Sequence, residues 1–216
     1  MFVPSHFAED DPAVLHALIR AHPLGTWVTI DGGGLVANHV PFLLDAARGP
    51  HGTLIAHVAR ANPVWRSFST TVRSLVVFQG VDTYVTPSWY PSKRAHGKVV
   101  PTWNYAVVHA QGIPQAIDDR DWLRRHLDIL VATHEAAQPI PWKIADAPSD
   151  FVDGLLRVIV GIEIPVESLS GKWKVSQNRP EPDKRGVVEG LAARGDGTAA
   201  AMAELVRRYI VADADG

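Results

Sequence analysis

TYVTPSWYPSKRAHGKVVPTWNYAVVHAQG, residues 83–112, sets Trp89 and Trp103 near prolines and the cations Lys93, Arg94 and Lys98. A residue that precedes proline is driven out of the helical region, so each half is expected as an extended segment entering or leaving a rigid turn. Residues 99–113 form the longest strand candidate, because Val, Trp and Tyr suit a pleated surface. Such a stretch should present a stacking wall together with positive charge, which is what a flat anionic ligand needs.

The flanking sequence sets this wall in a sheet. Upstream, residues 26–30 and 35–44 are strand-like runs joined by Asp31-Gly32-Gly33-Gly34, whose glycines supply the positive φ of a hairpin turn. The triple glycine has neither a following helix nor the spacing of a phosphate loop. Residues 52–58 make a third strand, and Asn62-Pro63 a helix-initiating turn. Residues 74–79 and 82–86 read as a hairpin about Gly80. Asp11-Pro12 opens a helix over residues 12–21. Asp118 or Asp119 caps a longer one, in which Trp122, Leu123, His126, Leu127, Leu130, Val131 and His134 form a single apolar stripe. Residues 148–153 are expected as one helical turn, 155–164 as a buried strand, and 198–210 as a terminal helix. Residues 170–185 are basic and broken by proline. Strand and helix signals do not alternate, so a mainly β fold with peripheral helices, an antiparallel β-barrel, is expected over a doubly wound sheet.

Composition narrows the chemistry. Of 216 residues, 21 are Lys or Arg and 23 Asp or Glu, so no general basic field favours nucleic acid. Direct DNA contact is therefore unsupported by net charge and would fall to residues 172–185. Without cysteine there is no disulfide, thiolate nucleophile or Cys-based zinc site. No run is apolar and long enough to cross a membrane, and no leader is evident, so a soluble, cytoplasmic protein is expected. His134-Glu135-Ala136-Ala137-Gln138 lacks the second histidine of HExxH, and no metal site is read from it. No GxSxG elbow occurs, and Asp10-Asp11 and Asp118-Asp119 lie where helix caps are wanted. A phosphate-bearing planar ligand is left, with Arg60, Lys93, Lys98, Lys172 and Lys174 near Trp65, Trp89, Tyr90, Trp103, Tyr105 and Trp173. Core or interface aromatics with cations at their rim are the competing reading.

Several strings then carry a resemblance. They are Pro4-x-His6-Phe7, Asn38-His39-Val40-Pro41-Phe42, Ala56-His57-Val58-Ala59-Arg60-Ala61-Asn62-Pro63-x-Trp65, Phe78-Gln79-Gly80 and Ser88-Trp89-Tyr90-Pro91-Ser92-Lys93. Val100-Pro101-Thr102-Trp103-Asn104-Tyr105-x-x-Val108-His109 and Lys172-x-Lys174-x-Ser176-Gln177-Asn178 complete the set. In this order they resemble the PaiB-like family, the FMN-binding negative transcriptional regulators. The resemblance implies an FMN-binding split β-barrel over residues 1–191, the fold of pyridoxamine phosphate oxidases and small flavin reductases, with a helical extension over 192–216. It further implies a homodimer with flavin at the interface.

Carried onto this chain, the resemblance implies FMN contacts from His39 and Pro41, and from His57, Arg60, Ala61 and Asn62 with Arg60 on the phosphate. It implies a wall of Ser88, Trp89, Tyr90 and Lys93, a facing strand of Pro101, Thr102, Trp103 and Asn104, and an edge of Lys172, Lys174 and Gln177. Trp103 and Tyr105 are also candidates for dimer packing. The alternatives are an FMN-dependent oxidoreductase using NAD(P)H, with His57 or His109 as the acid or base, and a heme-handling relative.

Overall fold

The computed structural model describes residues 1–212; residues 213–216, the end of the expected helical extension, lie outside it. The chain divides into two units, one made of Met1–Leu18, Gln79–Val108 and the chain from Ser170 onward, the other of Ile19–Phe78 and His109–Leu169. All pairings with a defined register are antiparallel. The strand orders are open rather than cyclic, so the described residues form antiparallel sheets with helices and not a closed barrel.

The second unit holds β2 (Leu24–Asp31) and β3 (Gly34–Pro41), paired about the glycine turn from Leu24↔Pro41 to Asp31↔Gly34. β2 also pairs with the start of β6 (Ser74–Val85). A second sheet runs β4 (Leu43–Asp45), β5 (Thr53–Ala59), β9 (Ile159–Pro165), β8 (Gln115–Ile117). β9 is apolar at nearly every position and buried along most of its length, as a strand covered on both faces should be. Trp27 and Phe78 are fully buried, and Phe42 packs edge-on against Phe78 at 5.9 Å. α2 (Val64–Ser67) follows the Asn62-Pro63 turn, and α4 (Arg120–Glu135) is capped by Asp119, which accepts from Trp122 N at 2.6 Å. Leu123 of α4 packs with Ile144 and with Val152 and Leu156 of α5 (Ser149–Leu156). Residues 155 and 156 thus close a helix, and the strand expected from 155 starts at Ile159.

In the first unit the order is β1 (Ala8–Glu9), β10 (Ser168–Lys174), β7 (Thr102–Gly112), β6, with Ala8 opposite Lys172. The chain passes between units within α1 (Pro12–Ala21), β6, β7 and β10. Here three expectations change. β6 is one continuous strand where a hairpin about Gly80 was expected. Its glycine serves close approach, since a Cβ there would lie 3.0 Å from Leu18 Cδ1 and 3.1 Å from the Ala106 carbonyl oxygen. SWYPSK is a 3₁₀ turn (Pro87–Trp89) followed by α3 (Pro91–His96), because Pro87 and Pro91 occupy first helical positions, where proline's missing N–H costs nothing. Residues 170–185 are ordered as β10, a turn and the start of α6 (Glu181–Arg194), with Pro180 as N-cap and Pro182 in the first turn. α6 packs on α7 (Gly197–Ala212), burying Val187, Leu191, Met202 and Val206.

Candidate functional site

The first unit gathers most of the expected residues. β7 sets Thr102, Trp103 and Asn104 against the end of β10, where Lys174 Nζ donates to Thr102 Oγ1 and, at 2.6 Å, to the Trp103 carbonyl. In the turn that follows, Ser176 holds φ at 70°, a left-handed conformation costing a non-glycine residue roughly 1 kcal/mol or more. The buried Asn104 amide holds it there, Nδ2 donating to Ser176 Oγ at 3.0 Å. Gln177 closes the turn by accepting from Val175 N at 2.7 Å and donating to the Trp173 carbonyl. Thr102, Asn104, Lys174, Ser176, Asn178 and Arg179 line a recess of about 50 Å³. A water molecule's share of liquid volume is about 30 Å³, so the recess suits a compact polar group.

The charge in the recess, from Lys174 and Arg179, and beside it, from Lys172, is one-sided. Burial lowers the pKa of Lys174, and the charges of Lys172 and Arg179 lower it further. Among the described residues none of these three cations pairs with a carboxylate. Lys172 Nζ donates to the Phe2 carbonyl and lies 5.4 Å from the Tyr105 ring centre, and Arg179 lies over Tyr90 at 4.7 Å. Like charges held together in a half-buried place repel one another unless an anion joins them. Ser176, Asn178 and Arg179 stand outside the expected set of contacts. The cations of residues 172–179 signalled them, but only the turn at Ser176 brings Arg179 back beside Lys174.

The SWYPSK residues meet this cluster through Tyr90, which lies under Arg179. Ser88 accepts from Lys93 Nζ at 3.2 Å, and Ser92 donates through N and Oγ to the buried Asp183 carboxylate at 3.1 and 2.6 Å. Trp89 seats on Gly186 and Gly190 of α6. A Cβ at Gly186 would meet the Trp89 carbonyl oxygen at 2.0 Å, and one at Gly190 the Trp89 ring at 2.3 Å. Ser88, Trp89 and Tyr90 border a cavity of about 490 Å³ that shares no lining residue with the Lys174 recess. Pro101 is exposed at the entry to β7, and Lys93 is exposed on α3.

The second unit uses its expected residues differently. Arg60 donates to both carboxylate oxygens of Asp118, at 2.9 Å through one of them, and to the carbonyls of Arg157 and Ile159 at 2.9 and 3.1 Å. A phosphate there would have to displace Asp118. Asn62 stands just before the Pro63 N-cap of α2, Oδ1 accepting from Val64 N at 3.0 Å, while Nδ2 donates to Asn38 Oδ1 at 2.8 Å. His39, Pro41 and Ala61 are exposed on β3 and in the turn after β5. His57 Nδ1 faces His126 Nε2 at 3.0 Å, and His126 stacks on Trp122 with an interplanar angle of 22°. Burial holds both imidazoles below their usual pKa; for His126, with the added charge of His57, to about 4. Burial likewise lowers the pKa of the half-buried His109. Trp122 Nε1 donates to Glu163 at 2.9 Å, and Arg48 grips that carboxylate through two bonds of 2.8 and 2.7 Å. Arg48, Trp122, His126 and Glu163 were absent from the expected contacts, because their partners come from distant parts of the chain.

The antiparallel fold has counterparts among solved structures. It superposes on a conserved hypothetical protein of Mycobacterium tuberculosis with a TM-score of 0.56 at 14% identity, covering 83% of this chain and 94% of that one. It also superposes on the FAD and heme binding protein of Mycobacterium smegmatis, with a TM-score of 0.52 at 16% identity over 77% and 73% of the two chains. In sequence, residues 1–168 match the family described as "Putative FMN-binding domain". The chain is 32% identical to the protease synthase and sporulation protein PAI 2 of Bacillus subtilis (strain 168), over 95% of this chain and 96% of the relative. An uncharacterized protein of Saccharomyces cerevisiae is 36% identical over 64% of this chain and 93% of its own. The chain belongs to this FMN-binding family, and FMN is its cofactor. Among the described residues no helix is long and apolar enough to cross a membrane.

Proposed function

We propose that this flavoprotein is a PaiB-type regulator with a split-barrel fold, acting as an FMN-loaded homodimer, and that it holds the FMN phosphate in the recess of Lys174, Ser176 and Arg179. The observation that carries the reading is the cluster of three cations without a carboxylate partner, backed by a strained serine turn and the hydroxyl of Thr102. Arginine offers a fork to two phosphate oxygens and lysine a compact charge, and a phosphate entering here would offset both the burial that chiefly lowers the Lys174 pKa and the repulsion from Lys172 and Arg179 that adds to it. FMN, when bound, supplies a redox-active planar ring; the residues of this chain supply its position and charge.

The regulatory part of the reading comes from the likeness to PAI 2. Direct DNA contact by residues 172–185 has little support, since Lys184 is buried, Arg185 pairs with Glu181, and Lys174 serves the recess. Purified protein should be yellow and release FMN on denaturation. Lys174→Ala should weaken FMN binding by about 1.5–3 kcal/mol, roughly ten- to hundred-fold, as expected for a charged hydrogen bond. Arg60→Ala should leave FMN affinity unchanged, because Arg60 is held by Asp118. The opposite pattern in a flavin fluorescence titration would move the phosphate to Arg60.

A further inference from the structure

The geometry points to a second small-molecule site, in the second unit, for an apolar monoanion such as an aromatic carboxylate. It does not rest on the flavin reading. A cavity of about 580 Å³ opens beside α4, within the range of small-ligand sites; Phe42, Leu44 and Ile55 line it, with the exposed Ile129 at its edge. One wall is Trp122, its N–H already given to Glu163 and its ring stacked with His126, so it offers a ligand apolar surface and no free hydrogen-bond donor.

The charges on the cavity set the ligand's sign. Glu163 is neutralised by the two bonds from Arg48 and does not repel an anion. At the mouth, Arg20 and Arg125 are exposed and, among the described residues, pair with no carboxylate, while Asp45 is the one further acid on the lining. Three arginines against two carboxylates leave a single positive charge, which a carboxylate on an apolar ring would balance. A neutral ring would use the apolar lining and leave the arginines to water, so the anion is preferred.

Calorimetric titration of 2-naphthoate into the full-length, FMN-saturated protein tests this, with 2-naphthol as the neutral comparator. One site per chain is expected, with the carboxylate bound about ten-fold or more tightly than the naphthol. Arg20→Glu and Arg125→Glu, both at exposed positions, should each abolish that preference, and Ile129→Trp should weaken both compounds by narrowing the cavity. Thermal melts of the variants report that they remain folded. The inference is overturned if binding does not saturate, if acid and naphthol bind alike, if both arginine variants keep the preference, or if FMN and 2-naphthoate compete. Loss of FMN binding in Lys174→Ala would leave this result untouched, so the two sites fail separately.

Discussion

His126 shows how one residue's surroundings set its chemistry. An ordinary histidine gains its proton near pH 6.5, but here burial and the neighbouring His57 push the value down to about 4. Between those values the unfolded chain binds a proton that the folded chain refuses, so stability falls as pH drops from about 6.5 to about 4 and the loss is complete below that. Linkage puts the loss at up to roughly 3 kcal/mol. His126→Gln should flatten the acid limb of a plot of denaturation midpoint against pH; an unchanged limb would assign it to other groups. From sequence this histidine is a stripe residue on a helix with one nitrogen satisfied, and its Nε2 does face His57. The partner could not be read, because it lies 69 positions away on another element. Arg60 was legible as a cation in a motif for the same reason that Asp118, 58 positions on, was not legible as its partner.

At the scale of elements, local signals were read well where they were chemical and badly where they were steric. Asp11-Pro12, Asn62-Pro63 and Asp119 mark helix starts because capping depends on neighbours in sequence. Gly80 reads as a turn from sequence and serves as a gap for Leu18 and Ala106. The prolines of residues 180–182 read as breaks and start a helix. Gly186 and Gly190 lie one turn apart on α6, and the space they leave is filled by Trp89. Gly186→Val would drive a side chain into the Trp89 carbonyl and should lower stability by about 1–3 kcal/mol, with the larger loss if the 3₁₀ turn shifts. Chemical denaturation measures this, and a variant as stable as the parent would remove α6 as the support of the SWYPSK segment.

For the whole molecule, the motifs pointed to a flavin protein with antiparallel strands, and the family membership agrees. Composition could not say how the sheets end, and the strand orders leave them open. Tyr84 and Trp103 sit edge to face at 6.1 Å on β6 and β7, 45% and 54% exposed, a pair that a second copy would cover in the proposed dimer. Trp103→Glu should yield a monomer in analytical ultracentrifugation, and an unchanged dimer would place the contact elsewhere. The central claim, that FMN is held by its phosphate in the Lys174 recess, is tested most directly by titrating the unaltered protein with FMN and with riboflavin, which lacks the phosphate. FMN should bind more tightly by roughly ten-fold or more, in keeping with charged hydrogen bonds to one phosphate, and equal affinity for the two flavins would contradict the account.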